Sequence, residues 1–221
     1  TWGAPSVNMV YADPTGDLCW QTAAYVPRRT GWRGLTPVDG SGQFDWNGYM
    51  TAEDLPAIGN PAWGFVHSAN EMNLPDNWDH AALPVGFEWF EDGRAARIAE
   101  LISIGQASDV AGSCAAQTDT FSAWSLRLIA LLPTANTTVP SELLQGWNGR
   151  SETDSAAALL FDLWLSSHLR PALLARIAPD VELRKFLQPG NIPTVIRLLE
   201  GKHPSLAARA GLSEPEIRSD F

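Results

Sequence analysis

The residue best placed by type and spacing to do chemistry is Asn70, within the stretch Asn60-Pro61-Ala62-Trp63-Gly64-Phe65-Val66-His67-Ser68-Ala69-Asn70-Glu71-Met72-Asn73-Leu74-Pro75. Asn60-Pro61 signals a turn, Phe65-Val66 is apolar and strand-like, and Asn70 falls just past the expected strand end, so an amide side chain is delivered to a loop. Held rigidly there, an asparagine can donate its NH2 hydrogens to an oxyanion developing on a carbonyl. One such donor is worth about 3 kcal/mol of transition-state stabilisation. Asparagine also closes turns, and the local pattern alone favours that plainer role.

Arg94 and Arg97 are the next candidates. Both fall in the first turn of an expected helix, where positive charge is mildly unfavourable against the helix dipole. That marks at least one of them for another purpose, the alternative being a solvated arginine beside Glu91 or Asp92. Cys19 and Cys114 have no CxxC spacing and no histidine at metal-ligand distance. They read as two buried free thiols, with a single disulfide as the alternative. His168 and His203 have no partners at metal spacing and read as structural or surface residues.

The elements that must position these residues divide the chain in two. Residues 1–92 read as strands and turns. Met9-Val10-Tyr11-Ala12 and Leu18-Cys19-Trp20 flank the turn Asp13-Pro14-Thr15-Gly16-Asp17 and make a hairpin. A Gly- and Arg-rich loop from Arg28 to Gly34 follows, then the turn cluster Pro37 to Gly42 and the aromatic segment Phe44-Asp45-Trp46-Asn47-Gly48-Tyr49. Thr51 caps a single helical turn through Leu55, with acidic residues in its first turn. Gly86 to Phe90 is either one more short strand or the lead into the next helix.

Residues 93–221 read as helices. Ile98, Leu101 and Ile102 recur at helical spacing. A short helix spans Ser108 to Ala116, and Thr118 or Asp119 caps a longer one carrying Phe121, Trp124, Leu128, Leu131 and Leu132, stopped by Pro133. Ser141 starts a brief turn. Thr153-Asp154 caps an apolar helix with Ala157, Leu160, Phe161, Trp164, Leu165 and Leu169 on its buried side, and Pro171 opens the next one. Val195 to Leu199 and the capping box Ser213-x-x-Glu216 mark two further helices. The fold class expected from this division is α+β.

With 221 residues, 45% of them hydrophobic, the chain can bury a sizeable core. Seven of its ten tryptophans fall before residue 90, so the aromatic weight lies in the β-rich part. A net charge of −10 with scattered basic residues argues against a nucleic-acid partner. No run approaches the length of a membrane span, and no signal-peptide layout is present in these residues. Asn136-Thr137-Thr138 is formally a glycosylation sequon, with nothing else in support.

Tyr11 to Asp17, Val26-Pro27-Arg28-Arg29, Pro37-Val38-Asp39-Gly40, Phe44 to Tyr49, Asn60-Pro61 with Gly64, Ser68 to Pro75 and Arg94-Ala95-Ala96-Arg97-Ile98 resemble, in order, consecutive motifs of the penicillin amidase (penicillin acylase) family. Gly146-Trp147-Asn148-Gly149 and the run from Asp154 to Pro171 are similar to the helical region of the same family. The resemblance covers nearly the whole chain and weakens after about Ala178. It implies part of an αββα N-terminal nucleophile hydrolase fold, made by self-cleavage of a precursor into two chains. In such enzymes a serine at the start of the larger chain, with its own α-amino group as base, attacks an amide carbonyl. An acyl-enzyme forms, and water releases the acid.

The resemblance matches Asn70 to the family's side-chain oxyanion donor. It matches Arg94 to the arginine that positions the amino group and the asparagine. It also implies that this chain is an internal piece of the larger (beta) chain, with the nucleophile elsewhere. The implied partners are the small alpha chain, the rest of the beta chain and a small amide substrate: the acyl side chain of a β-lactam, an acyl-homoserine lactone or a similar compound. No cofactor is implied for the chemistry. A structural calcium is implied by many relatives, with Gly34, Asp76 and Asp79 as the matching positions, and a periplasmic or extracellular location likewise. Two alternatives stand beside this reading: a non-catalytic binding or scaffold module, and Thr1 as an N-terminal nucleophile. By itself the chain is expected to be inactive.

Overall fold

The computed structural model describes residues 2–87, 89–132, 139–187, 192–200 and 202. The chain forms two compact units, Thr1–Ile102 and Ser103–Phe221. In the first are strands β1 (Val7–Ala12), β2 (Leu18–Ala23), β3 (Pro27–Arg29), β4 (Trp46–Tyr49) and β5 (Ala57–Gly59), followed by helix α1 (Gly93–Ser103), which ends at the boundary. The second holds α2 (Val110–Gln117), α3 (Ala123–Ile129), α4 (Val139–Gln145), α5 (Ala156–Trp164), α6 (Arg170–Ile177), α7 (Val181–Arg184) and α8 (Ile192–Leu199). The architecture is α+β.

The hairpin expected around Asp13 is present, with β1 and β2 antiparallel from Val7 opposite Ala23 to Ala12 opposite Leu18. Its turn is built by one carboxylate: Asp13 Oδ1 accepts from Thr15 N at 2.9 Å, Thr15 Oγ1 at 2.7 Å and Asp17 N at 3.0 Å. Gly16, at φ 97°, supplies the left-handed residue the turn requires. On the other side of β2 lies β5, also antiparallel, giving the order β1-β2-β5. Trp20, 1% exposed, points from the middle strand into the interior.

The strand expected at Phe65-Val66 does not form; the pairing strand is Ala57–Gly59, upstream of Asn60. Asn60 explains the difference. Its Oδ1 accepts from Leu18 N and its Nδ2 donates to Asp17 Oδ1, both at 2.8 Å, while its own N–H reaches Leu18 O at 2.8 Å. The side chain thus completes the ladder at the end of β5. With φ at 44° in Asn60 and 79° in Gly64, the chain then turns away, and residues 65–67 run without a partner strand.

β3 and β4 pair across an irregular register, and Met50 N continues the pairing onto Val26 O at 2.8 Å. Ala24, Val26, Met50 and Leu55 form a small core with Leu83 and Val85 against it. The single helical turn expected after Thr51 is present as Ala52–Asp54. Asp54 accepts from both the backbone N and the hydroxyl of Thr51 at 2.8 Å and pairs with Arg28. No strand occurs at residues 86, 87, 89 and 90.

In the second unit α2, α3, α5 and α8 sit where the apolar periodicity places them, with different caps at α3 and α5, whereas α4 is a helix in place of the expected brief turn and α7 has no counterpart among the expected elements. Ser122, not Thr118 or Asp119, caps α3 by accepting from Ser125 N. Asp119 is engaged instead with Phe121 N and the Arg150 guanidinium. Ser155, not Thr153 or Asp154, caps α5. Pro171 lies in the first turn of α6, as expected, but no break precedes it: α5 continues into α6 through a π turn at Leu165–Leu169, in which Arg170 N donates to Leu165 O. The wider turn removes the clash between the proline ring and the carbonyl one turn back. Helix α4 begins at Val139, before Ser141. Leu128, Leu144, Trp147, Phe161, Leu169 and Ile196 are among the residues of one apolar core.

Both cysteines are free, Cys19 half-buried and Cys114 exposed on α2, which corrects the expectation of two buried thiols. Thr1, the Asn136 sequon, His203 and the Ser213 capping box lie outside the described residues.

Candidate oxyanion site

Asn70 adopts a left-handed conformation, φ 71°, one of two non-glycine residues to do so among those described. Asparagine tolerates this region better than most side chains. The segment around it is fastened at successive peptide groups. Glu71 Oε2 accepts from Ala69 N at 2.6 Å, Arg94 Nη2 donates to Ala69 O at 2.8 Å, and Phe90 N donates to Asn70 O at 3.0 Å. Ser68 Oγ accepts from Asn8 Nδ2 at 2.9 Å and Asn73 Nδ2 at 3.3 Å, which ties the loop to β1.

Arg94 also donates to Asn70 Oδ1 at 2.8 Å. A guanidinium has only donors, so it can face only the oxygen of the amide. The assignment of oxygen and nitrogen in Asn70 follows from this. The Nδ2 hydrogens are turned away from Arg94, and among the described residues nothing accepts from them. An exposed amide with its oxygen clamped and its donors open is what stabilisation of a negative oxygen needs, and the adjacent cation adds a favourable field.

Of the two arginines singled out from the helix dipole, Arg94 goes to the loop, neither to Glu91 nor to Asp92 in any described contact. Arg97 takes the plainer role, donating to Glu100 Oε2 at 2.9 Å. The one local sign of Glu71 in the sequence is an acidic residue directly after the candidate asparagine, in a loop with apolar flanks. Glu71 is buried, 7% exposed.

Gly34, Asp76 and Asp79 do not fit a calcium ion by themselves. A Cβ added at Gly34 would lie 2.8 Å from Arg29 Nε, so this backbone packs against a cation. Asp79 Oδ1 caps its own turn, accepting from Ala81 N and Ala82 N at 3.0 Å. Among the described residues no three His, Cys, Asp or Glu side chains converge on one point, whereas calcium takes six to eight oxygens.

Residues 1–216 match the family model for penicillin amidase. The chain is 27% identical over 197 residues to the acyl-homoserine lactone acylase QuiP of Pseudomonas syringae pv. tomato, covering 80% of this chain and 23% of that protein. It is 30% identical over 168 residues to the penicillin acylase 2 proenzyme of a Pseudomonas species, covering 73% and 21%. Against the penicillin G acylase of Escherichia coli the identity is 28% over 203 residues, covering 79% and 22%. The chain thus spans about a quarter of the length of these relatives. Among solved structures, a thermostable penicillin G acylase from Alcaligenes faecalis superposes with a TM-score of 0.65 at 21% identity, covering 97% of this chain and 45% of that one.

The fold is therefore that of an N-terminal nucleophile hydrolase, in part. Within that class, the chain belongs to the penicillin amidase family. No described helix is long and apolar enough to cross a membrane.

Proposed function

We propose that the protein carrying this chain hydrolyses a linear amide through an acyl-enzyme on an N-terminal serine, and that Asn70 is the side-chain donor of its oxyanion hole. The observation that carries the reading is the Arg94–Asn70 hydrogen bond, which fixes the amide oxygen and leaves the NH2 group open. As the nucleophile adds to the carbonyl, its oxygen gains negative charge. Asn70 Nδ2 donates to that oxygen, and the Arg94 cation behind the amide strengthens the donor. Since the donor is held before the reaction, no reorganisation is required as charge develops.

The relatives named above act, by their names, on acyl-homoserine lactones and penicillins. On that support the substrate is an amide of this kind, with its acyl group in a pocket completed by other segments. The serine, the small alpha chain and the rest of the beta chain are the partners in this reading, and the location is periplasmic or extracellular. Replacing Asn70 by alanine in the full-length protein is expected to lower turnover on such amides by roughly a hundredfold or more, with the circular dichroism spectrum unchanged. Turnover near the wild-type level would remove Asn70 from the oxyanion hole.

A further inference from the structure

Glu71 is one of two buried polar or charged side chains among the described residues, and its neighbours suit a positioning role. Its Oε2 accepts from Ala69 N at 2.6 Å, which reaches back two residues across the left-handed Asn70. Its Oε1 faces His67 Nδ1 at 3.5 Å, too long for a hydrogen bond, and that nitrogen is buried without a hydrogen-bond partner. The His67 ring is held by stacking on Phe65, centroids 5.9 Å apart. The carboxylate is thus bonded on the side of the loop and faces an imidazole on the other.

The consequence lies in the order of contacts along the backbone. The peptide group joining residues 68 and 69 is held by Glu71, that joining 69 and 70 by Arg94, and that joining 70 and 71 by Phe90 N. Arg94 sets the direction of the Asn70 amide, but it can do so only if the backbone keeps the left-handed turn. An exposed loop residue in that conformation carries a cost that the surrounding contacts must offset. Glu71 supplies the contact on the N-terminal side of the turn, inside a buried setting where a charge-assisted bond is strong.

We propose that Glu71 is a positioning residue for catalysis: its carboxylate, through Ala69 N–H, holds the turn that aims Asn70. This rests on the reading of Asn70 as the oxyanion donor. What the turn needs is an acceptor of the right length at position 71. The carbonyl of a glutamine meets that need, and methionine fills the same space without one.

The test uses the full-length enzyme and a chromogenic amide that it turns over. Glu71→Met is expected to lower kcat by about ten- to thirtyfold with KM within about twofold, and Glu71→Gln to restore most of the loss, since aiming the donor acts on the transition state alone. Combined with Asn70→Ala, Glu71→Met should cost nothing further, because a residue that works through Asn70 has nothing left to aim. Equal losses in the glutamine and methionine variants, or an undiminished Glu71→Met effect in the Asn70→Ala background, would overturn the proposal. Wild-type turnover in Asn70→Ala alone would instead remove the reading of the site. Should Glu71→Met not fold, Glu71→Gln in the two Asn70 backgrounds decides: a small loss present only with Asn70 supports the role, and an equal loss in both overturns it.

Discussion

Arg94 Nη2 lies 2.8 Å from Asn70 Oδ1 and 2.8 Å from Ala69 O, so one guanidinium nitrogen grips both the side chain and the preceding carbonyl of the candidate oxyanion residue. The two partners are 24 positions apart in sequence, and the contact joins the first turn of α1 to an irregular loop.

Removing that grip should disturb orientation more than binding. In the full-length protein, Arg94→Ala is expected to lower kcat about ten- to a hundredfold while KM changes little, because the freed amide no longer presents its donors consistently. Steady-state kinetics on an amide substrate reads this split. A change confined to KM would place Arg94 in substrate binding instead.

The backbone and side-chain roles of Asn70 can be separated. Asn70→Gly and Asn70→Ala both lose the amide and should lose turnover alike. At φ 71° the alanine variant carries steric cost that glycine does not, so Asn70→Gly should be about 1 kcal/mol the more stable of the two in urea denaturation.

Acid should weaken the β1–β2 turn. The Asp13 carboxyl is held down from 3.8 to about 2 by the Thr15 hydroxyl, then by Asp17 N–H and the Tyr11 hydroxyl. A folded pKa below the unfolded one means that its stabilisation is complete above the unfolded value and is lost as the pH falls from about 4 towards 2. Urea midpoints measured across this window should fall less steeply in Asp13→Asn than in the wild type. Equal slopes would show that the turn carboxylate does not govern the acid limb.

In the helical unit, Ile196 is fully buried among the core residues. Ile196→Ala is expected to cost about 2–5 kcal/mol and Ile196→Val about 1 kcal/mol, read from chemical denaturation.

Legibility followed locality. The Asp13–Asp17 turn could be read because its hydrogen bonds close within five residues, and the helices because their apolar spacing repeats within each segment. The caps of α3 and α5 were displaced by a few residues where several Ser, Thr and Asp candidates compete. Asp119 is taken by Arg150, which local sequence does not reveal. The absence of a strand at Phe65-Val66 has a related reason. Two short apolar runs, Ala57-Ile58 and Phe65-Val66, could each have met the free edge of β2, and Asn60 decides by spending its side chain on Leu18 and Asp17.

By itself the sequence determined the family, through motifs in a fixed order, and it singled out Asn70 and Arg94 as residues worth attention. Only the tertiary structure decided that Arg94 faces the amide oxygen of Asn70 and that Glu71 holds the turn between Ala69 and its own side chain. The direction of a side-chain amide is set by which donors and acceptors surround it, and at Asn70 the deciding donor comes from another element of the fold.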